Sequence, residues 1–179
     1  MLRLFLALPV DPEVKAALAR FVDDHRPHLP FKRFVDAEDY HVTVDFIGAV
    51  PEARLDSLLS AVDKAREKRP GSVRIRLEAL RGFGPQTAPR VLVVRTALQP
   101  FEPFVAFREA LGTALHAAGF TVDRSRPYRP HITLAREGTG PASDAIALPP
   151  LAYTAGTLVL YRSDLHRRPM YTALHAWPL

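Results

Sequence analysis

Leu2, Leu4, Leu6 and Leu8 alternate with Arg3, Phe5 and Ala7, the period of two that marks a β-strand. Asp11 and Pro12 then offer an N-cap and a first-turn proline, after which Val14, Ala17, Leu18, Phe21 and Val22 recur at helical spacing. A loop holding Pro27 and Pro30 leads to a second strand over 40–47, closed by Gly48. Pro51 opens another helix, with Leu55, Leu58, Leu59 and Val62 in one stripe and a basic, solvated end over 64–69 where cations suit the helix dipole. Past the Pro70-Gly71 break, Val73, Ile75 and Leu77 alternate with Arg74, Arg76 and Glu78, and a Gly82 to Pro85 turn leads into a strand over 90–96. Pro100 and Pro103 precede a third helix carrying Phe104, Phe107, Leu111, Ala114 and Leu115, which stops at Gly119 as a left-handed cap. A basic loop over 124–129 and Pro130 introduce a strand over 131–135, and two last strands are predicted over 154–161 and 171–177 with a polar turn between them.

The two halves of this pattern repeat one another. Pro9 and Pro12 recur as Pro100 and Pro103, and His41 recurs as His131, so the unit of strand, helix and histidine-bearing strand occurs twice. The expected fold is α+β, a single domain over 1–179 in which two pseudo-symmetric lobes each combine an antiparallel sheet with helices outside. A central cleft would lie between the two histidine strands.

Composition narrows the chemistry. The 179 residues include no cysteine, which excludes disulfides, thiolate nucleophiles, iron–sulfur clusters and cysteine zinc sites, and leaves seven histidines as the side chains to follow. At 47% hydrophobic and 24% charged the chain is of a globular kind. The apolar start over 2–10 is too short for a membrane span and lacks a cleavage site, so it reads as a strand in a cytoplasmic protein. The net charge is +5, with only four lysines among 24 basic residues; arginine-rich composition accompanies GC-rich coding and also provides planar forks for phosphate.

In an extended strand His41 and Thr43 share a face, as do His131 and Thr133, with Val42, Val44, Ile132 and Leu134 turned to the core. Two such units facing one another bracket a phosphoryl group: one imidazole takes a proton from entering water, the other gives one to the departing alkoxide, and the threonine hydroxyls hold the non-bridging oxygens. Arg129 lies on the face of His131 by the same alternation and is placed to bind the phosphate without any distortion of the strand. Arg136 lies on the face of Leu134, and reaches the phosphate only if the strand bulges or ends. Phe46 is placed to stack a base or to pack in the core.

The paired His-x-Thr strands resemble those of the 2H phosphoesterase superfamily, and within it the RNA 2′,3′-cyclic phosphodiesterases, also called 2′-5′ RNA ligases. The resemblance extends from Arg3-Leu4-Phe5-Leu6-Ala7-Leu8-Pro9, through Phe46-Ile47-Gly48 after the first motif and the Arg129-Pro130-His131-Ile132-Thr133-Leu134-Ala135-Arg136 block, to Leu160-Tyr161-Arg162-Ser163 and Tyr171. Val44 and Phe34 stand where the family more often has leucine and tryptophan. The resemblance implies metal-independent opening of a 2′,3′-cyclic phosphate at an RNA end to a 2′-phosphate, without a cofactor and with ligation as the reverse reaction. His41 would be the proton donor and His131 the acceptor, with Thr43, Thr133 and Arg136 on the phosphate. The partner is then an RNA end or a related nucleotide, and a self-contained two-lobed fold suits a monomer. Two alternatives carry distinct expectations: a non-catalytic RNA-binding module does not need both imidazoles, and a histidine-metal hydrolase needs a carboxylate near the motifs, where Asp45 falls on the wrong face. Asp23, Asp24, His25 and His28 form no helical ligand set, because Pro27 interrupts them.

Overall fold

Asp11 nucleates the first helix as its sequence position implies: the carboxylate accepts hydrogen bonds from the amides of Glu13 at 2.9 Å and Val14 at 3.4 Å. The computed structural model describes residues 1–141 and 146–179. In chain order it contains β1 (Leu2–Pro9), α1 (Pro12–His25), β2 (Phe31–Phe34), β3 (His41–Val50), α2 (Leu55–Ala65), β4 (Val73–Phe83), β5 (Val91–Gln99), α3 (Phe101–Ala117), β6 (His131–Gly138), β7 (Ala152–Ala155), β8 (Thr157–Ser163) and β9 (Tyr171–Pro178). Among the described residues no helix is long and apolar enough to cross a membrane.

The strands form one antiparallel sheet in the order β7-β4-β5-β6-β3-β1-β8-β9, and β2 also pairs with β6. The chain is therefore α+β. β3 and β6 pair at one position, Val42 opposite Ile132, after which β2 takes the freed edge of β6 from Ala135 to Gly138. The sheet thus divides at this junction, and each half has an outward run of three further strands: β5, β4 and β7 on one side, β1, β8 and β9 on the other. A strand, a helix and a junction strand follow in sequence on both sides, as β1-α1-β3 and β5-α3-β6, the first with β2 inserted.

The leucine face of β1 is core, with Leu4, Leu6 and Leu8 fully buried. Val42, Val44, Ile132 and Leu134 lie in the same hydrophobic core, as alternation requires. Trp177 of β9 is buried too, and its indole N–H donates to Asp63 of α2 at 3.0 Å.

Three elements differ from the sequence reading. The segment read as a proline-bearing loop includes β2, whose four residues are too few to show a period. The strand predicted over 154–161 is two: β7 pairs with β4 and β8 with β1, so the chain crosses between the halves at Gly156. Gly48 does not close β3; it adopts φ +87°, beside an irregularity in the β1–β3 register, and the strand continues to Val50.

Candidate active site

β3 and β6 carry matching irregularities just past their histidines. On β3, Asp45 opposes Leu6 and Thr43 opposes Ala7, so Val44 is an extra residue. On β6, Ala135 opposes Leu92 and Thr133 opposes Val93, so Leu134 is extra. Each bulge buries two consecutive residues, Val44-Asp45 and Leu134-Ala135, and returns the next residue to the histidine face. Phe46 and Arg136 occupy those returned positions. Both line a cleft of about 790 Å³ together with His41, Thr43, His131 and Thr133. The bulge that strict alternation demanded for Arg136 is present.

Both imidazoles are fixed in the same way. His41 Nδ1–H donates to the carbonyl of Asp39 at 2.7 Å, and His131 Nδ1–H donates to the carbonyl of Arg129 at 2.7 Å. Each bond leaves Nε2 as the chemically available nitrogen. The Thr43 hydroxyl donates to His41 Nε2 at 3.0 Å, the direction dictated by a neutral ring already donating from Nδ1. Phe5, packed 4.9 Å from the His41 ring, and Tyr171, edge-on at 5.1 Å, shield it. Phe83 stands edge-on to His131 at 5.2 Å. Burial lowers the pKa of His41 to about 4, and the charges of His131 and Arg136 push it the same way.

Behind the first motif, Asp45 is buried between two guanidiniums, Arg108 at 2.9 Å and Arg124 at 2.7 Å. Arg108 also donates from Nε to the Val44 carbonyl at 2.9 Å, and the Tyr128 hydroxyl donates to the Thr43 carbonyl at 2.9 Å. The bulge is thereby held at its backbone as well as at its side chain. Burial raises the Asp45 pKa to about 6 against the pull of both arginines. Asp39, 2% exposed, accepts from the amides of Met170 at 2.8 Å and Tyr171 at 3.0 Å, tying the turn before β9 to the residue that orients His41.

The cleft is cationic. Arg3, Arg33, Arg136 and Arg168 line it against a single carboxylate, Asp39, whose oxygens are engaged by backbone amides. Arg136 has no hydrogen-bond or ion-pair partner among the described residues, whereas Arg33 pairs with Glu137 at 3.1 Å. Arg129 does not line the cleft: β6 begins at His131, so the alternation that placed Arg129 beside it does not extend back through Pro130. Its contribution is the carbonyl that orients His131. Sequence reasoning did not single out Arg33, Arg168 and Asp39, whose positions depend on strand pairing and on a turn brought from the far end of the chain. Among the described residues no group of three or more His, Asp or Glu is assembled to hold a metal ion.

Two His-x-Thr strands meeting on one cationic cleft in a divided antiparallel sheet define a two-histidine phosphoesterase. Consistent with that class, a family model described as the 2′-5′ RNA ligase superfamily matches residues 10–167, and the chain belongs to this family. The chain is 34% identical to an RNA 2′,3′-cyclic phosphodiesterase of Geobacillus stearothermophilus, over 98% of its own length and 56% of that protein's. It is 31% identical to one of Bacillus subtilis, over 98% and 95% of the two lengths. Its fold matches a crystal structure from Thermus thermophilus with a TM-score of 0.80 at 29% identity, covering 99% and 97% of the two chains. Escherichia coli LigT complexed with 3′-AMP matches with a TM-score of 0.78 at 26% identity, covering 99% and 98%.

Proposed function

We propose that the chain hydrolyses RNA 2′,3′-cyclic phosphate ends to 2′-phosphomonoesters by acid–base catalysis between His41 and His131, without a metal ion. The carrying observation is the symmetry of the two imidazoles: each is locked through Nδ1 to a carbonyl two residues earlier, and each projects into the same cleft beside a threonine. The names of the relatives, RNA 2′,3′-cyclic phosphodiesterases, support the same substrate.

Water enters on the His131 side, and its oxygen forms a bond to phosphorus while its proton passes to His131 Nε2. The P–O3′ bond breaks on the opposite side, and His41 Nε2–H protonates the departing O3′. A 2′-phosphomonoester and a free 3′-hydroxyl result, and one proton exchanged with solvent resets the pair. Thr43, Thr133 and Arg136 hold the non-bridging oxygens as charge develops. With the 5′-hydroxyl end of another RNA in place of water, that oxygen forms the bond to phosphorus, its proton passes to His131 Nε2 and the P–O3′ bond breaks as before, so that the cleft would join the two strands through a 2′-5′ linkage. One domain built of two duplicated lobes accounts for the acid and the base lying on equivalent strands.

RNA ending in a 2′,3′-cyclic phosphate, incubated with the protein in EDTA, should yield a 2′-phosphate identifiable by phosphorus NMR. His41→Ala and His131→Ala should each lower the rate by on the order of 10²-fold or more. Full activity in either variant, or activity abolished by EDTA, would sink this mechanism.

A further inference from the structure

β2 borders a second cavity that the two-histidine chemistry does not use. Its residues alternate between two cavities: Arg33 faces the catalytic cleft, Lys32 faces a neighbouring pocket of about 400 Å³, and Phe34 borders both. Val35 and Arg168 also border both, so the two cavities abut along one ridge. A pocket of this size lies within the range that holds a nucleoside-sized ligand, roughly 300–1,000 Å³.

Its walls suit a base and a phosphate. The guanidinium of Arg26, at the end of α1, lies over the Phe34 ring at 4.3 Å and forms a flat cation–aromatic surface. The acids of this pocket are already engaged: Asp23 pairs with the pocket's own Arg26 at 3.0 Å, and the Asp36 carboxylate caps the Glu38 amide at 2.9 Å. Lys32 and Arg168 have no hydrogen-bond or ion-pair partner among the described residues. Two cations thus remain available to an anion, one of them, Arg168, on the ridge itself.

We propose that this pocket is a subsite for the penultimate nucleotide of a single-stranded RNA whose terminal cyclic phosphate lies between the histidines. The proposal rests on the phosphodiesterase reading above. The diester phosphate joining the last two nucleotides crosses the ridge at Arg168, the penultimate base stacks on the Arg26–Phe34 surface, and Lys32 supplies a second charge to the backbone. Stacking on a π-face and contact with phosphate tolerate any base, so the subsite selects for chain length and not for sequence.

The test compares a nucleoside 2′,3′-cyclic phosphate with a dinucleotide ending in the same group, using the wild-type chain and the double variant Lys32→Ala/Arg26→Ala. In the wild type, kcat/KM for the dinucleotide should exceed that for the mononucleotide by at least about tenfold. In the double variant the advantage should vanish while the mononucleotide rate is unchanged, which also reports that the cleft is intact. Equal kcat/KM for the two substrates in the wild type, or a dinucleotide advantage that survives in the variant, overturns the subsite. Calorimetric binding of a dinucleotide 2′-phosphate against a mononucleotide 2′-phosphate provides a readout independent of turnover. If neither substrate is hydrolysed, the phosphodiesterase reading fails, and a length preference in binding that the double variant abolishes still supports the subsite; equal affinities overturn it.

Discussion

In the proposed mechanism His41 gives a proton, yet its buried environment disfavours the charged ring, with a pKa lowered to about 4. A phosphate anion beside Nε2 favours the imidazolium and moves that pKa upward. The rate should follow a bell-shaped profile with pH, because one imidazole must be charged while the other is neutral; a monotonic profile of kcat/KM would contradict the paired roles of His41 and His131. A second residue acts at a distance from the phosphate. Asp45→Asn retains shape but leaves Arg108 and Arg124 without their shared counter-charge, for a loss of roughly 3–5 kcal/mol in urea unfolding. A loss under about 1 kcal/mol would show that the bulge does not depend on this carboxylate. Of these residues the sequence disclosed His41, through a repeated two-residue spacing, but left Asp45 only as a residue on the wrong face. Its partners lie on α3 and in the following loop, far along the chain.

At the scale of elements, legibility followed the periodicity. β1, β3 and the helices carry clean alternation or clean stripes, and they form where the pattern places them. β2 carries four residues and no period, and the division at Gly156 depends on which strand each side pairs with, which is a non-local matter. The bulge at Leu134 was partly legible, since Arg136 could reach the cleft only if the strand bulged or ended there, where the role suggested by family resemblance and the periodicity disagreed; nothing in the sequence signalled its counterpart at Val44. The end of β6 depends on close backbone approach. A Cβ on Gly138 would fall 2.3 Å from the Pro89 carbonyl oxygen and 3.1 Å from the Phe31 ring. Gly138→Ala should therefore force apart the β4–β5 turn, β6 and β2. The cost of about 1–3 kcal/mol should appear as a melting temperature lowered by several degrees and a weakened hold on Arg33 and Arg136. An unchanged melting temperature would show that the turn yields freely.

Over the whole molecule, the internal repeat invites a division near Pro70-Gly71, but the strand order does not respect it. β6 takes β2 from the first part of the chain, and β1 takes β8 from the last. Fragments 1–70 and 71–179 each leave a junction strand or a core strand with an open edge, and neither should show a cooperative thermal transition by near-ultraviolet circular dichroism, whereas the full chain should show one. A fragment that melts cooperatively would establish the halves as independent folding units. The sequence suggested a repeat through its prolines and histidines and could not reveal the interleaving, because pairing partners leave no local pattern.

Val42 opposite Ile132 is the one rung that joins β3 to β6, and both side chains are fully buried. The spacing of the two histidine strands is consequently fixed where these side chains pack, one residue from each imidazole. A bulkier side chain at either position would alter the reach across the phosphate without touching a reacting atom. Core packing at this rung is thus the place where the spacing of the two imidazoles is set.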